Sequence, residues 1–187
     1  MRSVAILAVF LTLAACGQEE ATELPDPEPI DRHDSAYFTG MIIPDHDGPK
    51  GQIWIAGHDE PLWFSNVRDT KSFTLLPEEQ GKQVRVIYVQ GLGKAESWDH
   101  PGREAWIRTT DAYYVIHSGR RGGMGAPEPV PFATEEGAKA FAAEEGGEVV
   151  TWEEIPKDFV MGDPHQANDS GNATSWHDHH NMEDSGS

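Results

Sequence analysis

The stretch Pro61-Leu62-Trp63-Phe64-Ser65-Asn66 returns later in the chain as Pro129-Val130-Pro131-Phe132-Ala133-Thr134. Each copy runs on to a lysine and a phenylalanine in register. These are Lys71 with Phe73 and Lys139 with Phe141, 68 positions apart. Each copy is a short apolar run, then a residue suited to capping a helix (Asn66 or Thr134), then a helix candidate. A glycine and a second apolar run follow in both cases: Gly81 before residues 84–89, and Gly146-Gly147 before residues 149–152. The second helix, residues 134–145, has the clearer pattern. Ala138, Phe141 and Ala142 share a face, Glu135 and Glu136 sit favourably in the first turn, and Gly146 ends it.

Working upstream, each helix has two strand candidates before it. In the first half these are residues 37–43 and 52–56, with Asp47-Gly48-Pro49 as turn chemistry between them. In the second half they are residues 105–108 and 129–132, while residues 112–117 are open to a helical reading. Each half therefore reads β-β-α-β. The expected class is α+β, two related small halves with antiparallel sheets, spanning residues 35–98 and 99–156.

The flanks differ in character. Met1-Arg2-Ser3 is followed by an apolar run and then Leu13-Ala14-Ala15-Cys16-Gly17. One basic residue, a short apolar run and small residues before a cysteine are the layout of a lipoprotein export signal. Residues 1–15 are expected to be cleaved, leaving Cys16 lipidated on its sulfur and on its new amino group. Residues 16–34 carry Pro25, Pro27 and Pro29 at alternate positions and read as an extended tether. Residues 157–187 read as a polar tail with little to bury, its last part disordered.

Formal net charge is −18 for the whole chain, with 32 acidic against 14 basic residues. Such a surface argues against nucleic acid, which requires a basic footprint. It suits attraction of cations or docking on a basic partner. With Cys16 taken up by lipid, no thiol remains for catalysis or metal binding. No Gly-x-Ser-x-Gly elbow, His-Glu-x-x-His pair or phosphate-cradling loop occurs, so the sequence marks no enzyme.

Thioether and imidazole remain. Met124 stands in Gly122-Gly123-Met124-Gly125-Ala126-Pro127, a run with neither helical nor strand period. A loop that presents a soft sulfur is a candidate Cu(I) ligand; a loop methionine packed over the edge of a core is the plain alternative. Met41 follows Gly40 at the end of a strand candidate, where core packing is the simpler expectation. His46 lies in a turn between Asp45 and Asp47, a setting that is usually solvated. The tail holds His177, His179, His180 and Met182, a density of histidine that suits metals without selecting among them.

The chain resembles the NosL family of periplasmic copper-binding lipoproteins. The resemblance rests on Met41 through His46, Gly48-Pro49-Lys50-Gly51-Gln52, residues 64–69, Gly122 through Glu128, and Val130-Pro131-Phe132. It implies a non-enzymatic carrier that holds Cu(I) and passes it to nitrous oxide reductase and its assembly machinery. It also implies a periplasmic location, with the membrane reached through the acyl anchor. Met124 would be a copper ligand, Met41 would lie in the second metal-associated segment, and His46 or a tail histidine would supply an imidazole. Many family members carry Cys-x-Met where this chain has Thr39-Gly40-Met41, so the strongest Cu(I) donor is missing here. A copper-independent assembly factor and a carrier of another metal stay open as alternatives.

Overall fold

In the computed structural model, which describes residues 23–94, 97–99, 101–102 and 105–163, the two copies build the same motif. In the first, β1 (Gly51–Ile55) is flanked by β2 (Leu62–Phe64) and β3 (Val84–Gln90), both antiparallel to it, with α1 (Val67–Phe73) between β2 and β3. Strand β4 (Trp106–Arg108) extends this sheet beyond β3. In the second, β5 (Tyr113–Ile116) is flanked antiparallel by β6 (Val130–Phe132) and β7 (Glu148–Thr151), with α2 (Glu135–Glu145) between β6 and β7. The sheet orders, β2-β1-β3-β4 and β6-β5-β7, place the first strand of each copy in the middle. The class is α+β, as expected.

The helix starts follow the expected chemistry. Asn66 Oδ1 accepts from the Asp69 N–H at 2.6 Å, and Thr134 Oγ1 accepts from the Gly137 N–H at 3.1 Å. Each satisfies an amide that the helix itself leaves free. The face carrying Ala138, Phe141 and Ala142 packs on Val115, Val130 and Phe132. Phe64 and Phe73 pack with Ile53 and Ile55 on the first sheet. A shared core joins the halves: Val67 and Val89 from the first meet Tyr114, Ile116 and Trp152 from the second.

Five expectations are corrected. Residues 37–43 form no strand. Gly40, at φ +66°, reverses the chain so that the Ala36 N–H reaches the Met41 carbonyl at 2.8 Å. Only isolated bridges, Ser35 to Ile42 and Ala36 to Trp63, remain there. Residues 112–117 hold a strand instead of a helix, because Tyr113-Tyr-Val-Ile116 is β-branched and aromatic and is paired on both edges. β4, read as opening the second half, pairs with the first sheet.

The supposed tail begins with α3 (Lys157–Met161), which buries Phe159 and Val160 in the shared core. Three consecutive apolar residues in a five-residue helix are too short a pattern to show a period. The tether is docked from Glu23 onward. The Glu28 N–H donates to Gln52 Oε1, Gln52 Nε2 donates to the Glu28 carbonyl, and the Tyr88 hydroxyl donates to the Pro25 carbonyl at 2.8 Å. An extended proline-rich segment has no internal hydrogen bonds, so its backbone groups are free to meet polar side chains on a sheet. Cys16 and the tail residues from 164 on lie outside the described residues.

Candidate metal centre

The end of β2 organises the site. The Tyr37 N–H donates to the Trp63 carbonyl at 2.8 Å, and the Phe38 ring meets Phe64 edge-on at 5.5 Å. The reversed segment 36–41 is therefore anchored beside residues 63 and 64. Met41 stands on it 45% exposed. Its N–H donates to Thr39 Oγ1 at 3.2 Å, so that hydroxyl is used to hold the turn. The inward sulfur that strand alternation suggested is corrected by the chain reversal.

One residue further along, Ser65 meets the other thioether. Its Oγ lies 4.0 Å from Met124 Sδ, and Met124 is 49% exposed. Met124 tops a tight loop closed by an Arg121–Pro127 bridge, a Gly122 N–H to Ala126 carbonyl bond of 3.0 Å and a Gly125 N–H to Gly122 carbonyl bond of 2.8 Å. Two of its glycines are required by contact. A Cβ on Gly122 would stand 2.6 Å from Glu128 Oε2, and one on Gly123 would stand 2.9 Å from His46 Cβ and 2.8 Å from the Asp47 carbonyl. The loop is thus seated on two supports and leaves Met124 half-exposed. The two exposed thioethers stand on separate segments that meet the same strand end, residues 63–65.

Glu128 is the main support, and the sequence reading passed over it as one carboxylate among many. It is 2% exposed, and its Oε1 accepts from the Val67 N–H at the start of α1, at 2.6 Å. A residue of the second copy thereby caps the helix of the first. Burial pushes its carboxyl up to about 8, opposed by the Val67 hydrogen bond and by Lys50 and Arg68. Its Oε2 has no hydrogen-bond partner. The clue in the sequence was its setting, between Pro127 and the wholly buried strand β6. Around it, burial also lowers Lys50, to about 8, lowers Arg68 and raises Asp69.

His46 is 9% exposed, contrary to the solvated turn residue expected. Its Cβ lies under Gly123, but its Nε2 is buried without a hydrogen-bond partner, and the residue lines a cavity that includes neither methionine. The structure thus brings His46 against the Met124 loop through its stem while its ring borders a separate space. Among the described residues no cluster of three or more His, Cys, Asp or Glu is placed to hold a metal. His177, His179, His180 and Met182 lie outside the described residues.

Comparison with known proteins bears on this geometry. The NosL family model matches residues 27–160. The copper-binding lipoprotein NosL of Achromobacter cycloclastes is 39% identical over 162 residues, covering 86% of this chain and 83% of that protein. Its counterpart from Stutzerimonas stutzeri is 35% identical over 161 residues, covering 83% and 81%. The crystal structure of the copper chaperone NosL from Shewanella denitrificans superposes with a TM-score of 0.65 at 29% identity, covering 71% of this chain and 96% of that one. The matched span includes both methionine-bearing segments, Glu128 and the buried Phe159 and Val160 of α3. The chain belongs to the NosL family.

Proposed function

We propose that this protein is a periplasmic Cu(I) carrier, tethered to a membrane by lipid on Cys16, that delivers copper to nitrous oxide reductase while its metal centres are assembled. The observation that carries the reading is the presentation of Met124. The residue is half-exposed at the tip of a loop that two glycine contacts and a buried carboxylate hold in place. Two relatives are copper-binding lipoproteins by name, and a third is a copper chaperone. Thioethers select soft monovalent copper and bind it without losing a proton. Met124 and Met41 would be the two donors. His46 positions the loop from below, and the third coordination place is left for a ligand of the receiving protein. Binding through neutral sulfur at an open face favours release by ligand exchange, which a carrier needs and an enzyme does not. The tail histidines and Met182 would hold additional, less selective metal.

The test is an anaerobic competition titration of the full chain against a chromophoric Cu(I) chelator. Met124→Ala and Met41→Ala should each weaken the tight site at least about tenfold, with unchanged far-ultraviolet circular dichroism. His46→Ala should retain that site. Deleting residues 164–187 should lower stoichiometry only. Transfer to copper-free nitrous oxide reductase should follow the same order. Full affinity in Met124→Ala would remove the copper reading from this loop.

A further inference from the structure

The segment arriving from Cys16 meets the globule at one end of the first sheet. Arg85 Nη2, beside the start of β3, donates to the Glu23 carbonyl at 2.6 Å. From there the segment climbs the sheet. The Pro25 carbonyl accepts from the Tyr88 hydroxyl, Glu28 exchanges two bonds with Gln52, and Ile30 packs with Ala36, Ile43 and Trp63. Gln52, Trp63 and Tyr88 lie side by side in register, so these contacts follow one line up the sheet. Both thioethers stand at the far end of that line. The Met41 and Met124 segments meet residues 63–65, and Phe64 pairs with Gly51, which pairs in turn with Val89. Val84 and Val89 are the two ends of the β3 register with β1, and the strand between them is about 17 Å long.

Docking of residues 23–30 shortens the tether. Between Cys16 and Glu23 the chain spans at most about 25 Å, even fully extended. A globule of the size of residues 23–163 is about 37 Å across. Turning the molecule over, with its methionines on the lipid, would lift the Glu23 end about 37 Å from the surface. The remaining tether is too short to allow it. A tether free as far as Ile30 would be long enough, so the hydrogen bonds to Arg85, Tyr88 and Gln52 are what set the limit.

We infer that the docked segment fixes the bearing of the molecule on a lipid surface. The surface faces the sheet end formed by residues 56–60 and 80–83, and the methionine end is turned to water. A partner that exchanges metal there must meet the methionines from the aqueous side and not from within the bilayer. This orientation rests on the lipid proposed for Cys16 and requires no copper. With Cys16 lipidated, an introduced cysteine is the one free thiol. Gly81→Cys marks the lipid-facing end, where a side chain meets nothing within 4 Å, and Asp45→Cys marks an exposed position at the other end. Each lipidated protein, carrying one dye, is placed on vesicles with acceptor-labelled headgroups. Asp59 and Glu60 stand at the lipid-facing end, so the vesicles are net-neutral phosphatidylcholine. Energy transfer from position 81 should be at least about twice that from position 45, given about 17 Å between their levels. Inserting about forty Gly/Ser residues after Gly17 gives a tether of roughly 38 Å r.m.s. and should make the two transfers equal. Equal transfer without the insertion, stronger transfer from position 45, or a difference that survives the insertion would each overturn the inference. Protein that does not float with the vesicles would instead remove the lipid on Cys16, and the orientation with it.

Discussion

Replacing Glu128 with glutamine should make the protein more stable at neutral and alkaline pH, and by an amount that grows with pH. The folded carboxyl titrates at about 8, against an ordinary value of 4.5, because it is wholly buried. Between those two values the folded chain holds a proton that the unfolded chain has lost. Stability then falls as pH rises, by about 1.4 kcal/mol for each pH unit. The contribution is complete below pH 4.5 and is spent by pH 8, a change of roughly 4–5 kcal/mol from this one group. That is a large part of the 5–15 kcal/mol typical of a domain. Glutamine keeps a carbonyl to accept from the Val67 N–H but has no proton to lose. Guanidinium unfolding of both proteins, followed by tryptophan fluorescence at pH 5, 6.5 and 8, measures the difference. Groups that titrate alike in both proteins cancel. The gap in favour of Glu128→Gln should widen by about 4 kcal/mol from pH 5 to pH 8. A gap that does not change with pH would mean the carboxylate is already ionised in the folded protein, and the account of its burial would be wrong.

Gly122→Ala should cost about 1–3 kcal/mol in unfolding free energy, because the new methyl meets Glu128 Oε2 at 2.6 Å and Asn66 Cβ at 3.4 Å; stability equal to the parent would show that the loop is not seated as described. Phe159→Ala should destabilise by roughly 3 kcal/mol in chemical denaturation, since the ring belongs to the shared core and not to a tail. Thr39→Cys should raise Cu(I) affinity at least about tenfold in the chelator titration, a thiolate being a stronger Cu(I) donor than the hydroxyl it replaces. The same substitution breaks the 3.2 Å bond to the Met41 N–H, so no gain in affinity would mean that this turn does not face the metal.

Several features were open to reading because they are local. Helix starts at Asn66 and Thr134 are written in single side chains that bond three residues ahead. The apolar face of α2 follows from 3.6-residue spacing. The duplication shows because both copies solve the same packing problem with the same residue types, and the shared order of β2-β1-β3 and β6-β5-β7 follows from it. Met124 stood out because a thioether among glycines has no core to fill.

What the chain could not announce depends on contacts distant in sequence. Glu128 looks like any surface carboxylate until Val67, 61 positions away, donates to it. His46 looks solvated until the Met124 loop closes over it and Nε2 is left facing inward. Met41 was placed on a strand by its neighbours, yet Gly40 turns the chain and Thr39 holds the turn. Residue order thus determined the elements, the repeat and the soft donors, because those arise within a few residues. Tertiary structure alone decided which groups lost water, and with that which carboxyl holds its proton, which loop is rigid and which sulfur reaches the surface. Burial is a property of the whole packed chain, and no short window contains it.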